Sequence, residues 1–533
     1  MPIALLSVSD KTGVVEFARG LREREWTIVS TGGTADQLKD ADIPVTPVGE
    51  LTGFPELLAG RVKTLHPVVH AGILARRTVP EDMEALAARD IRPIDLVAVN
   101  LYPFRQTIAR ESATLAEALE QIDIGGPTLL RAAAKNHPFV WAVCDWEDYG
   151  RVLEAIDRDE DDSDLRRWLA AKVFRHAATY DAGIAGYLGA VGGGAHEGTP
   201  ELPAELLAPL VRVQSLRYGE NPDQRAAFYR EASGRPWGIP GLRQLHGKKL
   251  SYNNLLDLDG ALAALAPFRD SERPACAILK HTTPCGISTG RSALDAYQKA
   301  LACDPVSAFG SVVAFTQPVT ESLAESLALN FIECLVAPGY ADAALRVLQQ
   351  RKNLRILAPE SSERLSALSG HLWPGLQARG VLGGLLVQSA PRPANSGRLQ
   401  EDPHASVPTK REPTEREWLD LDFAWAAVQS VKSNGILLAR DGSSVGIGAG
   451  QMSRVDSVRL AVEKACGAGQ DLSEAVLASD AFFPFRDGID VGAEAGIRAV
   501  VQPGGSIRDA EVIAAADEHD MAMVFTGRRL FRH

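Results

Sequence analysis

The first third of the chain alternates short apolar runs with segments of helical spacing. Apolar runs predict strands at 3–8, 27–30, 43–48, 96–101 and 139–144. Apolar residues recur with helical spacing over 11–23 and 34–39, between the first three runs. This β-α-β-α-β order is typical of a parallel sheet covered by helices, so we predict an α/β fold here.

A long helix is predicted over 165–188, and a segment rich in Gly and Pro follows at 191–203. That segment predicts a linker near residue 200. Beyond it the pattern is again mixed α and β, and a Pro-rich stretch at 389–414 predicts a boundary between two subdomains. Because a chain of 533 residues is too long to fold around a single hydrophobic core, at least two domains are expected.

Composition narrows the class of protein. Hydrophobic residues make up 45% of the chain, charged residues 23%, and the net charge is -12. This balance argues against nucleic-acid or membrane-surface binding, whose affinity comes from spread positive charge, while a local cation cluster can still bind small anions. The six cysteines include no CxxC pair, and neither a secretory signal pattern nor a membrane-length apolar run occurs. We therefore predict a cytoplasmic protein with reduced thiols.

Motifs rich in Lys, Ser, Thr and Gly follow the predicted strands of the first domain. Ser9-Asp-Lys-Thr-Gly13 and Ser30-Thr-Gly-Gly-Thr34 stand at strand ends, which a parallel sheet brings to one ligand-binding edge. Paired glycines and a free helix N-terminus can bind phosphate, although such a turn can also be purely structural. Gly60–Pro67 adds two cations, Asn100–Phe104 follows another strand, and Ile122–Thr128 leads into a helix. We predict an anion pocket at this edge.

In the second domain, Lys280-His-Thr-Thr-Pro-Cys-Gly286 follows a predicted strand at 275–279. Histidine can act as a general base near neutral pH and lysine can stabilise negative charge, although a lone histidine is often structural. Pro284-Cys285 is a fragment of the zinc-deaminase motif, but Ser288 stands where the second cysteine is needed, so no zinc is expected. Gly446-Ile-Gly-Ala-Gly450 lacks the spacing of a dinucleotide-binding loop, so no nicotinamide cofactor is expected.

The first-domain motifs resemble the inosine monophosphate (IMP) cyclohydrolase domain of the bifunctional purine biosynthesis family. SDKTG, STGGTA, GRVKTLHP, NLYPF and DIGGPTLLRAAAKNH occur in the family's order over residues 1–195. The resemblance implies a methylglyoxal-synthase-like fold and a reacting centre of Lys63, Tyr102, Asp123 and Lys135. The substrate-binding residues that it implies are Ser9, Lys11, Thr12, Ser30, Thr31, Gly32, Gly33, Thr34, Arg61, Thr64, Asn100, Gly125 and Gly126.

The second-domain motifs resemble the transformylase half of the same family. LRYGENP, KHTTPCG, DPVSAFG, VKSN, GIGAGQMSR, SDAFFPFRDGID and QPGGSIRD occur in order over residues 212–533, after a linker at 196–211. The resemblance implies two tandem cytidine-deaminase-like subdomains without zinc, and Lys280 with His281 as the catalytic pair. Thr283 departs from the family, which has Asn there. The implied substrate and folate ligands are Arg217, Tyr218, Asn254, Phe309, Gly310, Asn434, Arg454, Phe482, Pro484, Phe485, Asp487, Arg529 and Phe531.

The family's reactions transfer a formyl group from 10-formyltetrahydrofolate to the 5-amine of aminoimidazole carboxamide ribonucleotide (AICAR) and close the product, FAICAR, to IMP. The resemblance also implies a homodimer with the transformylase site at its interface, and it allows a monovalent cation. Two other interpretations stay open. The first domain could be a regulatory nucleotide-binding module, a role that its fold has in carbamoyl-phosphate synthesis. One of the two sites could also be inactive, which only Thr283 suggests.

Overall fold

The computed structural model describes residues 1–110, 112–158, 162–191, 202, 205–232, 238–359, 376–390 and 398–533. The chain divides into two compact units, Met1–Leu210 with Glu231–Gly234, and Val211–Arg230 with Arg235–His533. Half of the linker predicted at 196–211 lies outside the described residues, as does the 391–397 part of the predicted subdomain boundary. Among the described helices, none is long and apolar enough to cross a membrane.

The N-terminal unit is built on a five-stranded parallel sheet. Its strands are β1 (Ile3–Val8), β2 (Thr27–Ser30), β3 (Thr46–Pro47), β4 (Leu96–Asn100) and β5 (Trp141–Val143), in the order β3-β2-β1-β4-β5. Its helices are α1 (Val14–Glu23), α2 (Gly32–Asp40), α3 (Val48–Thr52), α4 (Pro67–Leu74), α5 (Pro80–Ala87), α6 (Phe104–Ile108), α7 (Leu115–Glu120), α8 (Gly125–Lys135), α9 (Tyr149–Asp157) and α10 (Ser163–Val191).

Apolar residues cover both faces of this sheet. Alternate strand residues point to opposite faces, so Leu5 and Val97 pack with α4 and α8, while Leu6 and Ala98 pack with α1 and α9. The predicted strand at 43–48 is wrong in extent, because only Thr46 and Pro47 pair and α3 starts at the next residue. Prolines lack the N–H that a ladder needs, which limits this segment to a short edge strand.

The larger unit contains a small pair of strands, β6 (Leu210–Leu216) and β7 (Ala226–Glu231), and an eleven-stranded sheet. The large sheet is formed by β8 (Leu242–His246), β9 (Ala275–Lys280), β10 (Thr283–Thr289), β11 (Ser311–Phe315), β12 (Ile332–Val336), β13 (Arg355–Pro359), β16 (Ile436–Arg440), β17 (Ser443–Gly448), β18 (Val476–Ser479), β19 (Ala499–Gln502) and β20 (Ala522–Phe525). A separate hairpin consists of β14 (Leu376–Val381) and β15 (Gly384–Ser389).

The helices of this unit are α11 (Tyr252–Leu265), α12 (Ala293–Cys303), α13 (Glu321–Ala328), α14 (Asp342–Leu348), α15 (Glu415–Val428), α16 (Arg454–Gly467), α17 (Asp487–Glu494) and α18 (Asp509–Glu518). An internal repeat organises them, since the order α11-β9-β10-α12-β11-α13-β12-α14-β13 recurs as α15-β16-β17-α16-β18-α17-β19-α18-β20. In each half the first strand is antiparallel to the second and third, and the last three strands are parallel. The halves join where β10 pairs with β17.

Equivalent glycines let a helix approach the second strand of each half. A Cβ atom on Gly286 would lie 1.9 Å from the Ala300 carbonyl oxygen in α12, and one on Gly446 would lie 2.4 Å from the Ala461 carbonyl oxygen in α16. Neither position has room for a side chain. The 446–450 motif therefore includes a glycine that is needed for helix packing.

Candidate functional site

The carboxyl edge of the parallel sheet holds the loop after β1 in place. Asn100, at the end of β4, accepts hydrogen bonds from the backbone N–H groups of Ser9 (2.5 Å) and Asp10 (2.9 Å) and donates to the Asp10 carbonyl (2.8 Å). The Thr12 hydroxyl donates to the Asp10 carboxylate at 2.7 Å. Three predicted ligands, Ser9, Thr12 and Asn100, therefore lie together, and the Asn100 amide is used to shape the loop.

Two lysines converge beside the start of α2. Lys11 Nζ donates to Thr34 Oγ1 at 2.8 Å and to the Val8 carbonyl. Burial lowers the pKa of Lys11, and the nearby Lys63 charge lowers this pKa further. Lys63 Nζ is so close to Gly32 that a Cβ atom there would lie 3.7 Å from it. No side chain caps the first turn of α2, so its free N–H groups and the two cations suit an anion.

The other predicted residues of these two loops are more enclosed. Ser30 donates to the Leu6 carbonyl at 2.7 Å, and the Thr31 hydroxyl lies 2.7 Å from that of Ser7. Ser30 and Thr31 are both buried, so their hydroxyl groups stabilise the edge of the sheet through these hydrogen bonds. A Cβ atom on Gly33 would meet nothing within 4 Å, which leaves open space above the first turn of the helix.

Asp123 lies in the tight loop before α8. Its Oδ1 accepts from the Gly126 N–H at 2.8 Å, and its own N–H donates to the Tyr180 hydroxyl at 2.8 Å. Burial raises the pKa of Asp123, while the N–H groups of Gly126 and Tyr102 and the charge of Lys63 oppose this rise. The structure therefore brings Lys63, Tyr102 and Asp123 together. Tyr102 is 39% exposed, which leaves its side chain accessible.

The glycines after Asp123 let this loop pack closely. A Cβ atom on Gly126 would lie 2.5 Å from the Asp123 carboxylate, and one on Gly125 would lie 2.9 Å from the Thr64 hydroxyl. Thr64 is buried and therefore part of the wall of this site. Arg61 is more peripheral, since it forms an exposed ion pair with Glu120.

Lys135 is the one predicted member of the cyclohydrolase centre that this chain does not place beside Asp123. It ends α8, so ten residues at 1.5 Å each put it about 15 Å along the helix axis from Gly125. It lines an open groove of about 840 Å³ that also includes Arg131, His137 and Phe174. The role of Lys135 stays a prediction.

In the larger unit, Lys280 and His281 lie at a hairpin tip. Lys280 ends β9 and Thr283 opens β10, and these two residues pair directly. Lys280 Nζ donates to the Phe309 carbonyl at 2.7 Å. His281 is exposed, and its carbonyl accepts from the Thr282 hydroxyl at 2.7 Å. The predicted catalytic pair is thus presented on a two-residue turn.

Asn434 and Arg454 belong to a buried polar network. Arg454 donates to Asn434 Oδ1 (2.8 Å), Ser479 Oγ (2.8 Å) and Asp480 Oδ1 (2.6 Å). The side chains of Arg454 and Asp480 are 6% and 0% exposed. The Asn434 amide also donates to the carbonyls of Gln451 and Met452, so its polar atoms are engaged inside the protein. In this chain the side chains of Asn434 and Arg454, both predicted ligands, therefore link separate segments of the fold through hydrogen bonds.

The C-terminal tail is anchored at the same place. The Leu530 N–H donates to the Asp480 carbonyl at 2.8 Å, and Ser433 exchanges hydrogen bonds with the Arg532 backbone. Arg529 stacks over the Phe531 ring at 4.4 Å. The predicted tail residues therefore lie beside the segment that follows β18.

Aromatic side chains are exposed around this segment. Phe482 and Phe485 are 40% and 48% exposed, whereas Phe483 between them is buried. Pro484 separates the last two rings, and Asp487 opens α17, where its Oδ1 accepts from the Gly488 N–H. The Phe-Phe-Pro-Phe motif thus combines one core residue with two accessible rings.

The remaining predicted ligands are distributed over other loops. Arg217 stacks over Tyr218 at 5.6 Å, and Phe309 packs near Phe331 at 5.1 Å and is 65% exposed. Asn254 is buried, and its amide oxygen accepts from the Ser251 N–H in the capping box of α11. Gly310 has a φ of 78°, a backbone conformation that residues other than glycine rarely adopt.

Sequence reasoning missed several residues that hold these sites. Tyr180 fixes the Asp123 loop from a distant helix, and Asp480 pairs with Arg454. Asp257 accepts a hydrogen bond from the Thr282 N–H at 2.6 Å, and the charges of His281 and Lys432 act on its carboxylate. Asp480 lies inside the SDAFFPFRDGID motif and could have been flagged there. Tyr180 and Asp257 lie in ordinary helical patterns and gave no signal.

No group of three or more His, Cys, Asp or Glu side chains that could hold a metal ion occurs among the described residues. Cys285, in the Pro-Cys fragment, is buried, and burial raises the pKa of its thiol to about 12. A thiol with this pKa stays protonated near neutral pH.

Comparisons with known proteins connect these sites to families. The profile of the MGS-like domain matches residues 13–128, and the N-terminal α/β fold predicted from the sequence is confirmed by that match and by the parallel sheet. A crystal structure described as ForH is 36% identical over 36% of this chain and 100% of its own chain, with a TM-score of 0.32. The profile of the AICARFT/IMPCHase bienzyme matches residues 133–464, more than half of the chain. This protein belongs to the AICARFT/IMPCHase bienzyme family of purine biosynthesis.

Proposed function

We propose that this chain formylates the 5-amine of AICAR with 10-formyltetrahydrofolate and closes the resulting FAICAR to IMP. The observation that supports this proposal is that one chain carries residues predicted for both reacting centres, each set on neighbouring segments of its own unit. Lys63, Tyr102 and Asp123 gather at one sheet edge, and Lys280 with His281 stands on the β9–β10 hairpin. A purely regulatory first domain would need an anion site but no buried carboxylate beside a lysine.

For ring closure, the FAICAR carboxamide nitrogen attacks the formyl carbon of the same molecule. Lys63 and Tyr102 suit stabilisation of the negative charge that forms on the formyl oxygen. The Asp123 carboxylate suits acceptance of the proton from the attacking nitrogen, because its raised pKa makes it a better base than an exposed carboxylate. Loss of water from the adduct then gives IMP. Lys11, Thr34 and the start of α2 would hold the ribonucleotide phosphate.

For formyl transfer, the AICAR 5-amine attacks the formyl carbon of the folate. The new carbon–nitrogen bond forms as the bond to the folate nitrogen breaks. His281 takes the proton from the amine, and the departing folate nitrogen receives a proton to give tetrahydrofolate. Lys280 stabilises negative charge on the formyl oxygen. Phe482, Phe485 and Phe531 offer accessible rings on which flat heterocycles can stack.

The proposal includes a cytoplasmic homodimer with the transformylase pocket at the subunit interface. Phe309, Phe485 and Phe531 are 65%, 48% and 43% exposed, and a second subunit would cover these rings at such an interface. Sedimentation of the purified protein measures the oligomeric state directly. Activity measured with and without added K⁺ tests the monovalent cation that the family resemblance allows.

A coupled assay tests the two reactions. AICAR and 10-formyltetrahydrofolate are supplied, and tetrahydrofolate and IMP are followed separately in wild type, Lys63→Ala and His281→Ala. We expect both products from wild type, neither from His281→Ala, and tetrahydrofolate with accumulated FAICAR from Lys63→Ala. Wild-type protein that forms tetrahydrofolate but no IMP, even from added FAICAR, would replace the cyclohydrolase with the regulatory interpretation.

A further inference from the structure

The turn that carries His281 has an unusual sequence for its backbone shape. Lys280 pairs with Thr283, so the turn consists of only His281 and Thr282, with φ values of 55° and 60°. Two-residue hairpin turns with both φ values positive are of type I′ and favour Asn-Gly or Asp-Gly. Threonine is β-branched and rarely adopts this left-handed conformation. The local sequence therefore opposes the turn that the fold imposes.

The internal repeat supplies a direct comparison. In the second half, Arg440 pairs with Ser443, and the turn between them is Asp441-Gly442, with φ values of 51° and 65°. The backbone conformation is the same, but the sequence is one that this turn type favours. Only the turn of the first half places a histidine and a β-branched residue in the left-handed region.

An aspartate binds each turn from the helix that starts its half. Asp257 Oδ1 accepts from the Thr282 N–H at 2.6 Å, and Asp420 Oδ1 accepts from the Gly442 N–H at 2.9 Å. Both aspartates are the sixth residue of their helix, α11 or α15. Each also interacts with the N–H of the preceding turn residue, which lowers its pKa against the rise caused by burial. The two contacts are equivalent in the repeat.

We propose that Asp257 is a positioning residue for formyl transfer, because its carboxylate holds the His281–Thr282 turn in the left-handed conformation that presents His281 and Lys280 to the substrates. This inference rests on the proposed transformylase function. The Asp441–Gly442 turn adopts its shape by sequence alone, so Asp420 has little to add there. The His281–Thr282 turn lacks that preference, so its geometry depends on the carboxylate.

Asp257→Ala tests the proposal, with Asp420→Ala as the matched control from the other half. Formyl transfer and the cyclisation of added FAICAR are both measured on each protein. For Asp257→Ala we expect kcat of formyl transfer to fall about 10- to 100-fold, the loss that a misplacement near 1 Å can cause, with a smaller change in KM for AICAR. Cyclisation should stay at the wild-type rate, and Asp420→Ala should keep both activities.

A second substitution separates positioning from general damage. Thr282→Gly relieves the conformational conflict, so the double variant Asp257→Ala, Thr282→Gly should recover about tenfold or more of the lost kcat. A purely structural defect would not respond in this way. Thermal unfolding of every variant shows which ones fold.

Three outcomes would overturn the inference. They are wild-type kcat in Asp257→Ala, equal losses in Asp257→Ala and Asp420→Ala, or a folded double variant that recovers nothing. Failure of the proposed function has a different signature, since wild type itself would then form no tetrahydrofolate.

Discussion

The Arg454–Asp480 pair allows a quantitative test of whether a predicted substrate ligand supports the fold. The two side chains are 6% and 0% exposed, and their closest nitrogen and oxygen lie 2.6 Å apart. Arg454→Met removes the guanidinium and leaves the Asp480 carboxylate with the Ser433 hydroxyl, 2.5 Å away. Breaking a buried pair from one side typically costs about 3–5 kcal/mol, because a charge is left in a site without water.

Two further variants of this ion pair have predictable costs in stability. Asp480→Asn should be similarly costly, since it leaves the buried guanidinium without its carboxylate. The double variant should be less destabilised than the sum of the singles, with a coupling free energy of about 2–3 kcal/mol. Arg459→Met on the same helix is the control, because Arg459 pairs with Asp456 on the surface, where ion pairs contribute about 0–1 kcal/mol.

Urea unfolding followed by circular dichroism gives the free energies of unfolding, and hydrogen exchange reports on β18 and the tail separately. We expect faster exchange in 528–533 for both single variants, since the tail is bound to Asp480 and Ser433. Strictly additive free energies would refute the buried-pair reasoning. Wild-type stability in Arg454→Met combined with lost AICAR binding would instead identify Arg454 as a substrate ligand.

Three further predictions follow from single sites. Lys63→Met removes a charge that lowers the pKa of Asp123, so the pH below which residual FAICAR cyclisation is lost should move upward; an unshifted pH profile would contradict this. Thr283→Asn restores the amide of the family and should raise kcat of formyl transfer about 2- to 10-fold if one hydrogen bond to the substrate is gained, whereas an unchanged kcat would exclude that contact. Gly286→Ala should lower the unfolding temperature, because its Cβ atom would lie 1.9 Å from a helix carbonyl oxygen, whereas Gly467→Ala, with nothing within 4 Å, should not.

Local patterns in the sequence predicted much of the first domain. The apolar runs at 3–8 and 27–30 are strands with those bounds, because buried parallel strands need uninterrupted apolar residues. The edge strand at 43–48 was over-extended, because prolines limit its pairing. In the larger unit, the family resemblance and the Pro-rich stretch at 389–414 predicted two subdomains, and the element order of α11–β13 recurs in α15–β20. The apolar pattern alone did not show this repeat, since two unlike sequences can meet the same packing demands.

The sequence by itself determined which chemical groups this protein carries and on which loops they stand, because strand ends and turn residues are local properties. Only the tertiary structure decided which groups meet. It placed Asp123 beside Lys63, whereas Lys135 lies at the far end of α8. It also buried Arg454 against Asp480. It also joined Asp257 to the turn of His281, a contact between residues that are well separated along the chain. Such contacts depend on how helices pack on a sheet, and spacing along the chain does not encode that packing.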